Sequence, residues 1–249
     1  MGIRDRLVTR PGEQGLDLCR ALSHSGVQSY HLPLIDIQLV QRLDGLCEQM
    51  KTVDIILAVS QHAVTAVNNY LEQQKEQWPT KVYFAIGQKT AHALSTASQQ
   101  KVHCPNINDS EHLLALPQLN NISNQKALIL RGNGGRELIY KTLSQRGASV
   151  EYHQVYCRQK LAFDADRLIP IWKKNNVSQL VVTSKEQLEH FTSKMTSDQR
   201  KWLYQRHLYV PSERIAKLAY QLGFTTITTT FGASNSVLLA ALQPSQTGQ

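Results

Sequence analysis

Six short apolar runs in this sequence end in small, polar or basic residues: Thr9-Arg10, Ser60-Gln61, Gly87-Gln88-Lys89-Thr90, Arg131-Gly132-Asn133-Gly134-Gly135, Ser184-Lys185 and Ser212-Glu213-Arg214. A stretch of helical periodicity follows each run, so these residues sit where a strand hands over to a helix N-terminus. Free backbone N–H groups and the positive end of the helix dipole attract anions there, and Ser, Thr and Arg side chains add donors. The chemistry on offer is recognition of carboxylate or phosphate. Plainer alternatives stand beside it: a Ser or Thr before a helix is commonly an N-cap, and a Gly after a strand is commonly a turn. Arg131 carries more information, because an Arg that closes an apolar strand is costly unless it meets a negative group.

Motifs for covalent chemistry do not accompany this set. The Gly-rich turn at 132–135 completes neither GxxxxGK[ST] nor GxGxxG, and no Ser-His-Asp order or paired carboxylate stands out. Cys19, Cys47, Cys104 and Cys157 lie far apart without a CxxC pair, and the nine histidines include no HExxH. No metal and no cofactor are expected, and the thiols read as reduced and partly buried.

The elements that place these residues repeat. RLVTRP (6–11) resembles ALILRG (127–132), and the helices after them stop at Gly26 and Gly147, 121 positions apart like Arg10 and Arg131. Those glycines suit the left-handed residue that closes a helix. VQSYHLPLI and SVEYHQVYC follow as second strands. DIILAVSQHAVTAV then resembles QLVVTSKEQLEHF, with Ser60 and Ser184 closing the strands, and KVYFAIGQKTAHAL resembles HLYVPSERIAKLA, with Gly87 against Ser212 and Thr90 against Ile215. DSEHLLALPQL and ASNSVLLAAL read as Ser-started helices. Short runs rich in Val, Ile and Leu alternating with helices predict α/β architecture, with parallel sheets covered by helices on both faces. The residues leave open whether the two copies fold in tandem or exchange halves.

The chain has 249 residues with 41% hydrophobic and 18% charged, which excludes intrinsic disorder and fits two medium domains. No run approaches the roughly 18 apolar residues of a membrane span, and the start lacks the apolar core of a signal peptide. A cytoplasmic protein that does not engage a membrane is expected. The net charge of +8 favours anionic partners. Aromatic residues, at 7%, do not interleave with the basic pairs Lys173-Lys174 and Arg200-Lys201, which argues against nucleic acid.

The ordered segments VTRP, AVSQHAV, AIGQKTAHAL, LRGNGGRE, VYCRQ and VTSKEQ, with LP at 32–33, resemble the uroporphyrinogen-III synthase family over nearly the whole chain. The resemblance implies two similar parallel-sheet domains with helices on both faces, joined by a two-stranded linker, the internal repeat being swapped. On this sequence the domains would be 1–37 with 160–249, and 38–159. Their basic and acidic side chains number 15 against 10 and 12 against 9, so the surplus belongs to both domains.

The implied reaction converts hydroxymethylbilane, a linear tetrapyrrole, to uroporphyrinogen III with loss of water and inversion of ring D through a spiro intermediate. The pyrrole nitrogens supply the electronic push, so the protein's tasks are positioning and local electrostatics. Tyr156 is the implied proton donor, with a linker tyrosine that only packs as the alternative. The implied ligands of the substrate carboxylates are Arg10, Ser60, Gln61, Gly87, Thr90, Arg131, Gly132, Asn133, Ser184, Lys185 and Ser212. At position 215 the family pattern has a Thr hydroxyl; Ile215 is expected to act through its backbone N–H instead, with Arg214 as the adjacent replacement. A monomer supplied by hydroxymethylbilane synthase, closing its domains on the substrate, is expected. A non-catalytic anion- or nucleic-acid-binding protein of two domains is the alternative from another class.

Overall fold

The computed structural model describes residues 5–243. They divide into two compact units, one formed by the chain up to Asp36 and again from Gln159, the other by Ile37–Arg158. The first segment makes β1 (Asp5–Val8), α1 (Gly12–His24) and β2 (Ser29–His31). The chain then runs through β3 (Ile35–Leu39), α2 (Leu46–Thr52), β4 (Ile55–Ala58), α3 (Gln61–Gln74), β5 (Val82–Ala85) and α4 (Gln88–Ser98). Next come β6 (Val102–His103), α5 (Ser110–Leu114), β7 (Lys126–Gly132), α6 (Leu138–Gln145) and β8 (Ser149–Lys160). It ends with α7 (Ala165–Lys174), β9 (Val177–Val181), α8 (Lys185–Ser193), α9 (Ser197–Tyr204), β10 (His207–Val210), α10 (Glu213–Leu222), β11 (Thr226–Thr229) and α11 (Asn235–Leu242).

The discontinuous unit holds a sheet in the order β11-β10-β9-β1-β2, every neighbouring pair parallel. The continuous unit holds β3-β8-β7-β4-β5-β6, parallel from β8 to β6. In each sheet a strand-helix-strand pair, β1-β2 or β7-β8, lies beside a three-strand run that is distant in sequence, β9 to β11 or β4 to β6.

Strands covered on both faces must be apolar on both, and the period of two sorts their residues. In β4, Ile55 and Leu57 join one cluster with Phe84, Ile129 and Leu143, while Ile56 and Ala58 join another with Val64, Leu128 and Leu130. In the other unit, Leu7, Leu180 and Leu208 pack with Trp172 and Phe191, whereas Val8, Val181 and Tyr209 pack with Leu18, Leu22 and Leu238. Each such buried Val, Leu, Ile or Phe side chain contributes about 1.5–3 kcal/mol by leaving water.

Gly26 (φ 73°) and Gly147 (φ 86°) adopt the left-handed conformation expected after α1 and α6. One helix start differs from the sequence reading. The cap of α5 is Asp109, whose carboxylate accepts the His112 N–H at 2.8 Å, and Ser110 lies inside the helix; an anionic oxygen at the positive helix end is the better acceptor. α6 begins at Leu138, beyond the Gly-rich turn, where Gly135 at φ 133° keeps the backbone out of helical geometry. Among the described residues no helix is long and apolar enough to cross a membrane.

Candidate functional site

Parallel strands bring their carboxyl ends to one edge of the sheet, so in the discontinuous unit the residues after β1, β9, β10 and β11 share a rim. Arg10 is a buried cation on it. Only 8% exposed, it donates to two neutral oxygens, Oδ1 of Asn235 and Oε1 of Gln14, the latter at 2.7 Å. Its Nε has no partner, and no carboxylate comes within ion-pair reach among the described residues. Burial pushes its pKa down. His31 holds the Arg10 carbonyl through Nε2 at 2.7 Å, and Gly15 makes room, since a Cβ there would clash with that ring.

The helices on this rim use their leading serines differently. Ser184 caps α8 by accepting the Gln187 N–H at 3.2 Å, and Lys185 pairs with Glu189 one turn on at 3.4 Å. Ser212 heads α10 without a side-chain cap hydrogen bond, so its hydroxyl is available to a ligand. Arg214 and Lys217 make no ion pair among the described residues; with Lys185, Leu218 and Gln221 they line a pocket of about 430 Å³. The N–H expected to serve from Ile215 is already donated to the Ser212 carbonyl at 3.0 Å, and its side chain is 4% exposed in the core. The reason is local: the first turn of α10 tightens onto Ser212, leaving the Glu213 and Arg214 N–H groups at the helix end.

In the continuous unit the corresponding rim follows β7, β4 and β5, with β8 alongside. Register between β7 and β8 shifts after Arg131, so that Arg131 faces Gln154 but Gly132 faces Tyr156. This bulge puts Val155 and Tyr156, adjacent in sequence, into the same apolar cluster. Tyr156 is 1% exposed, its ring lies where a Gly132 Cβ would clash, and the His62 ring is 5.9 Å away. Its hydroxyl accepts from Arg158 Nη2 at 3.1 Å, its one hydrogen bond among the described residues, so the phenolic hydrogen is uncommitted. Burial, with the nearby Arg158 charge, pushes the His62 pKa down and favours the neutral ring.

Several other expected ligands are engaged within this unit. Ser60 caps α3 through the Ala63 N–H at 3.2 Å, with Gln61 exposed beside it. Gly87 is buried where a Cβ would strike Asn108, whose side chain accepts the Gln88 N–H at 3.2 Å and so occupies the N-terminus of α4. Thr90 is 5% exposed. Asn133 clasps the Arg158 backbone, accepting its N–H at 2.8 Å and donating to its carbonyl at 3.2 Å. Arg131 meets its negative partner internally, in Glu137 at 2.9 Å, and lies 4.3 Å over the Tyr152 ring.

That last pair has a pH signature. Arg131, and next the Tyr152 hydroxyl at 2.7 Å, hold the Glu137 carboxyl below the usual carboxylate range. A depressed folded-state pKa adds stability above the unfolded value, and this is lost as pH falls through the folded one. The Glu137 side chain is 49% exposed, so Glu137→Gln is expected to cost at most about 1 kcal/mol in urea unfolding at pH 7. The deficit should vanish in acid below the carboxylate range; a deficit independent of pH would count against the ion pair.

Sequence reading missed Asn235, Asn108, Glu137 and Arg158. Glu137 alone had a local signal, lying six residues beyond an Arg already known to need an anion. The others act from positions 20 to 225 residues away from the groups they hold, or through the bulge.

A family model described as "Uroporphyrinogen-III synthase HemD" matches residues 17–236. The chain is 43% identical to the uroporphyrinogen-III synthase of Escherichia coli strain K12 over 95% of its own length and 99% of that protein's. It is 40% identical to that of Salmonella typhimurium strain LT2 over the same shares. Among solved structures it resembles a mutant uroporphyrinogen III synthase from the extremely thermophilic bacterium Thermus thermophilus, with a TM-score of 0.67 at 17% identity covering 96% and 97% of the two chains. The corresponding synthetase from Helicobacter pylori 26695 gives 0.59 at 13% identity over 96% and 98%. Those two likenesses concern the fold alone. With the family model spanning most of the sequence and the curated relatives matching from end to end, the chain belongs to the uroporphyrinogen-III synthase family.

Proposed function

We propose that this chain cyclises hydroxymethylbilane to uroporphyrinogen III, with loss of water and inversion of ring D through a spiro intermediate. The observation that carries the reading is Arg10: a guanidinium buried at a strand end and bonded, among the described residues, to neutral oxygens suits a carboxylate ligand. A substrate with eight carboxylates suits it, as it suits Ser212, Arg214 and Lys185 on the same rim. On the other rim the uncommitted hydrogen of Tyr156 is the proton source for the departing hydroxyl, and Arg158 offsets the charge left on the phenolate. Pyrrole electrons expel the protonated hydroxyl as water, so no protein nucleophile is required. Arg131 and Asn133, engaged with Glu137 and Arg158, serve by shaping the turn around Gly132.

In this reading the two compact units are two domains of a cytoplasmic enzyme that works as a monomer, and hydroxymethylbilane synthase supplies the substrate. The test is to incubate the protein with hydroxymethylbilane, oxidise the products and separate the isomers. Predominantly type III product is expected; the type I excess of the spontaneous reaction would refute the activity.

A further inference from the structure

Five described residues other than glycine have positive φ: Lys75, Gln99, Asn124, Asn176 and Phe231. The first four are polar, and Lys75 and Gln99 close α3 and α4 as C-caps. Phe231, at φ 54°, differs in kind, since a bulky side chain in the left-handed region is strained by contact of its Cβ with the backbone. Burial gives no compensation. Phe231 is 79% exposed, the most of any large hydrophobic residue described, whereas Phe84, Phe191 and Phe224 are at most 2% exposed.

The loop is tied down on both sides of the ring. Thr230 donates its N–H to the Val210 carbonyl at the end of β10, at 2.8 Å, and its hydroxyl to the Gly232 carbonyl at 2.8 Å. Ser234 caps α11 by accepting the Val237 N–H at 3.3 Å, and Asn235 joins Arg10 to the Gln14 backbone. The ring is therefore held in a strained conformation, facing water, on the rim that carries the buried Arg10 guanidinium. A glycine would satisfy this loop without strain. Strain kept where folding gains nothing from it points to a ligand.

We propose that Phe231 contacts substrate, its ring packing against one pyrrole of the linear tetrapyrrole while Arg10 binds a carboxylate of the same molecule. A flat apolar ring beside a buried cation matches a pyrrole bearing acidic arms. The assignment rests on the cyclisation reading above, and the parent protein separates the two: a parent without turnover refutes the activity and this contact with it, whereas an active parent with indifferent variants refutes the contact alone.

The experiment compares Phe231→Gly, Phe231→Ala and Phe231→Tyr in steady-state kinetics with hydroxymethylbilane and in thermal unfolding. Phe231→Gly should melt at or above the parent temperature, because strain is relieved and no buried surface is lost, while KM rises about three- to tenfold, the size of one aromatic contact. Phe231→Ala should show the same rise in KM without the gain in melting temperature, and Phe231→Tyr should keep the parent KM. A KM within twofold of the parent in both Phe231→Gly and Phe231→Ala overturns the contact. A rise in Phe231→Gly alone also overturns it, because loop freedom would then be the cause.

Discussion

Replacing Tyr156 with phenylalanine is expected to lower kcat for hydroxymethylbilane about a hundredfold while KM stays within about threefold of the parent, as befits a proton donor acting in the transition state. The substitution isolates one atom. The ring keeps its place against Gly132 and His62, and the apolar cluster around Val155 and Leu130 is untouched, so the melting temperature should move little. The hydroxyl accepts one hydrogen bond, from a partly buried Arg158. If Tyr156 only packs, phenylalanine serves as well and the rate is unchanged, so an unaltered kcat in a folded variant removes it as the donor. The companion Arg158→Met separates the two groups: it keeps the phenol and removes its charged neighbour, and should slow turnover less than the loss of the hydroxyl.

Arg10→Met carries the second large expected effect, a KM raised at least tenfold with the fold intact. A charge-assisted hydrogen bond to a carboxylate is worth about 1.5–3 kcal/mol, which corresponds to roughly 10- to 100-fold in affinity. Methionine fills much of the space of the arginine stem. Removing a buried cation that has no counter-charge among the described residues also relieves its desolvation, which offsets the lost bonds to Asn235 and Gln14. Stability within about 1 kcal/mol of the parent, read from urea unfolding, is therefore expected alongside the binding defect. Arg10→Lys should fall between parent and methionine, because it keeps the charge but cannot reach both acceptors as a planar fork. An unchanged KM in Arg10→Met would remove the guanidinium from substrate binding.

Much of this site is legible before any coordinates. Apolar runs ending in Arg10, Ser60, Arg131, Ser184 and Ser212 mark strand ends because parallel strands need apolar residues on both faces and polar residues where the chain turns into a helix. Gly26 and Gly147 mark helix ends because few other residues take a left-handed conformation without cost. Other distinctions escape the same reading. Ser184 and Ser212 occupy matching positions, yet one caps its helix through its side chain and the other does not. Arg10 and Arg131 end matching strands, yet Arg131 has Glu137 and, among the described residues, Arg10 has amide oxygens.

Local physical chemistry, written in the order of residues, determines where strands end, where helices begin and that the rims are basic. Pairing across long sequence separations determines the rest. Asn235 meets Arg10 because β11 leads into α11 on the same sheet edge that β1 reaches. Tyr156 faces Gly132 because one extra residue in β8 reverses the alternation that the sequence implies. A one-residue slip costs nothing in composition or hydrophobic pattern and sends a side chain to the opposite face, so only the packed sheet can decide which tyrosine of β8 presents its hydroxyl to Arg158 beside the Gly-rich turn.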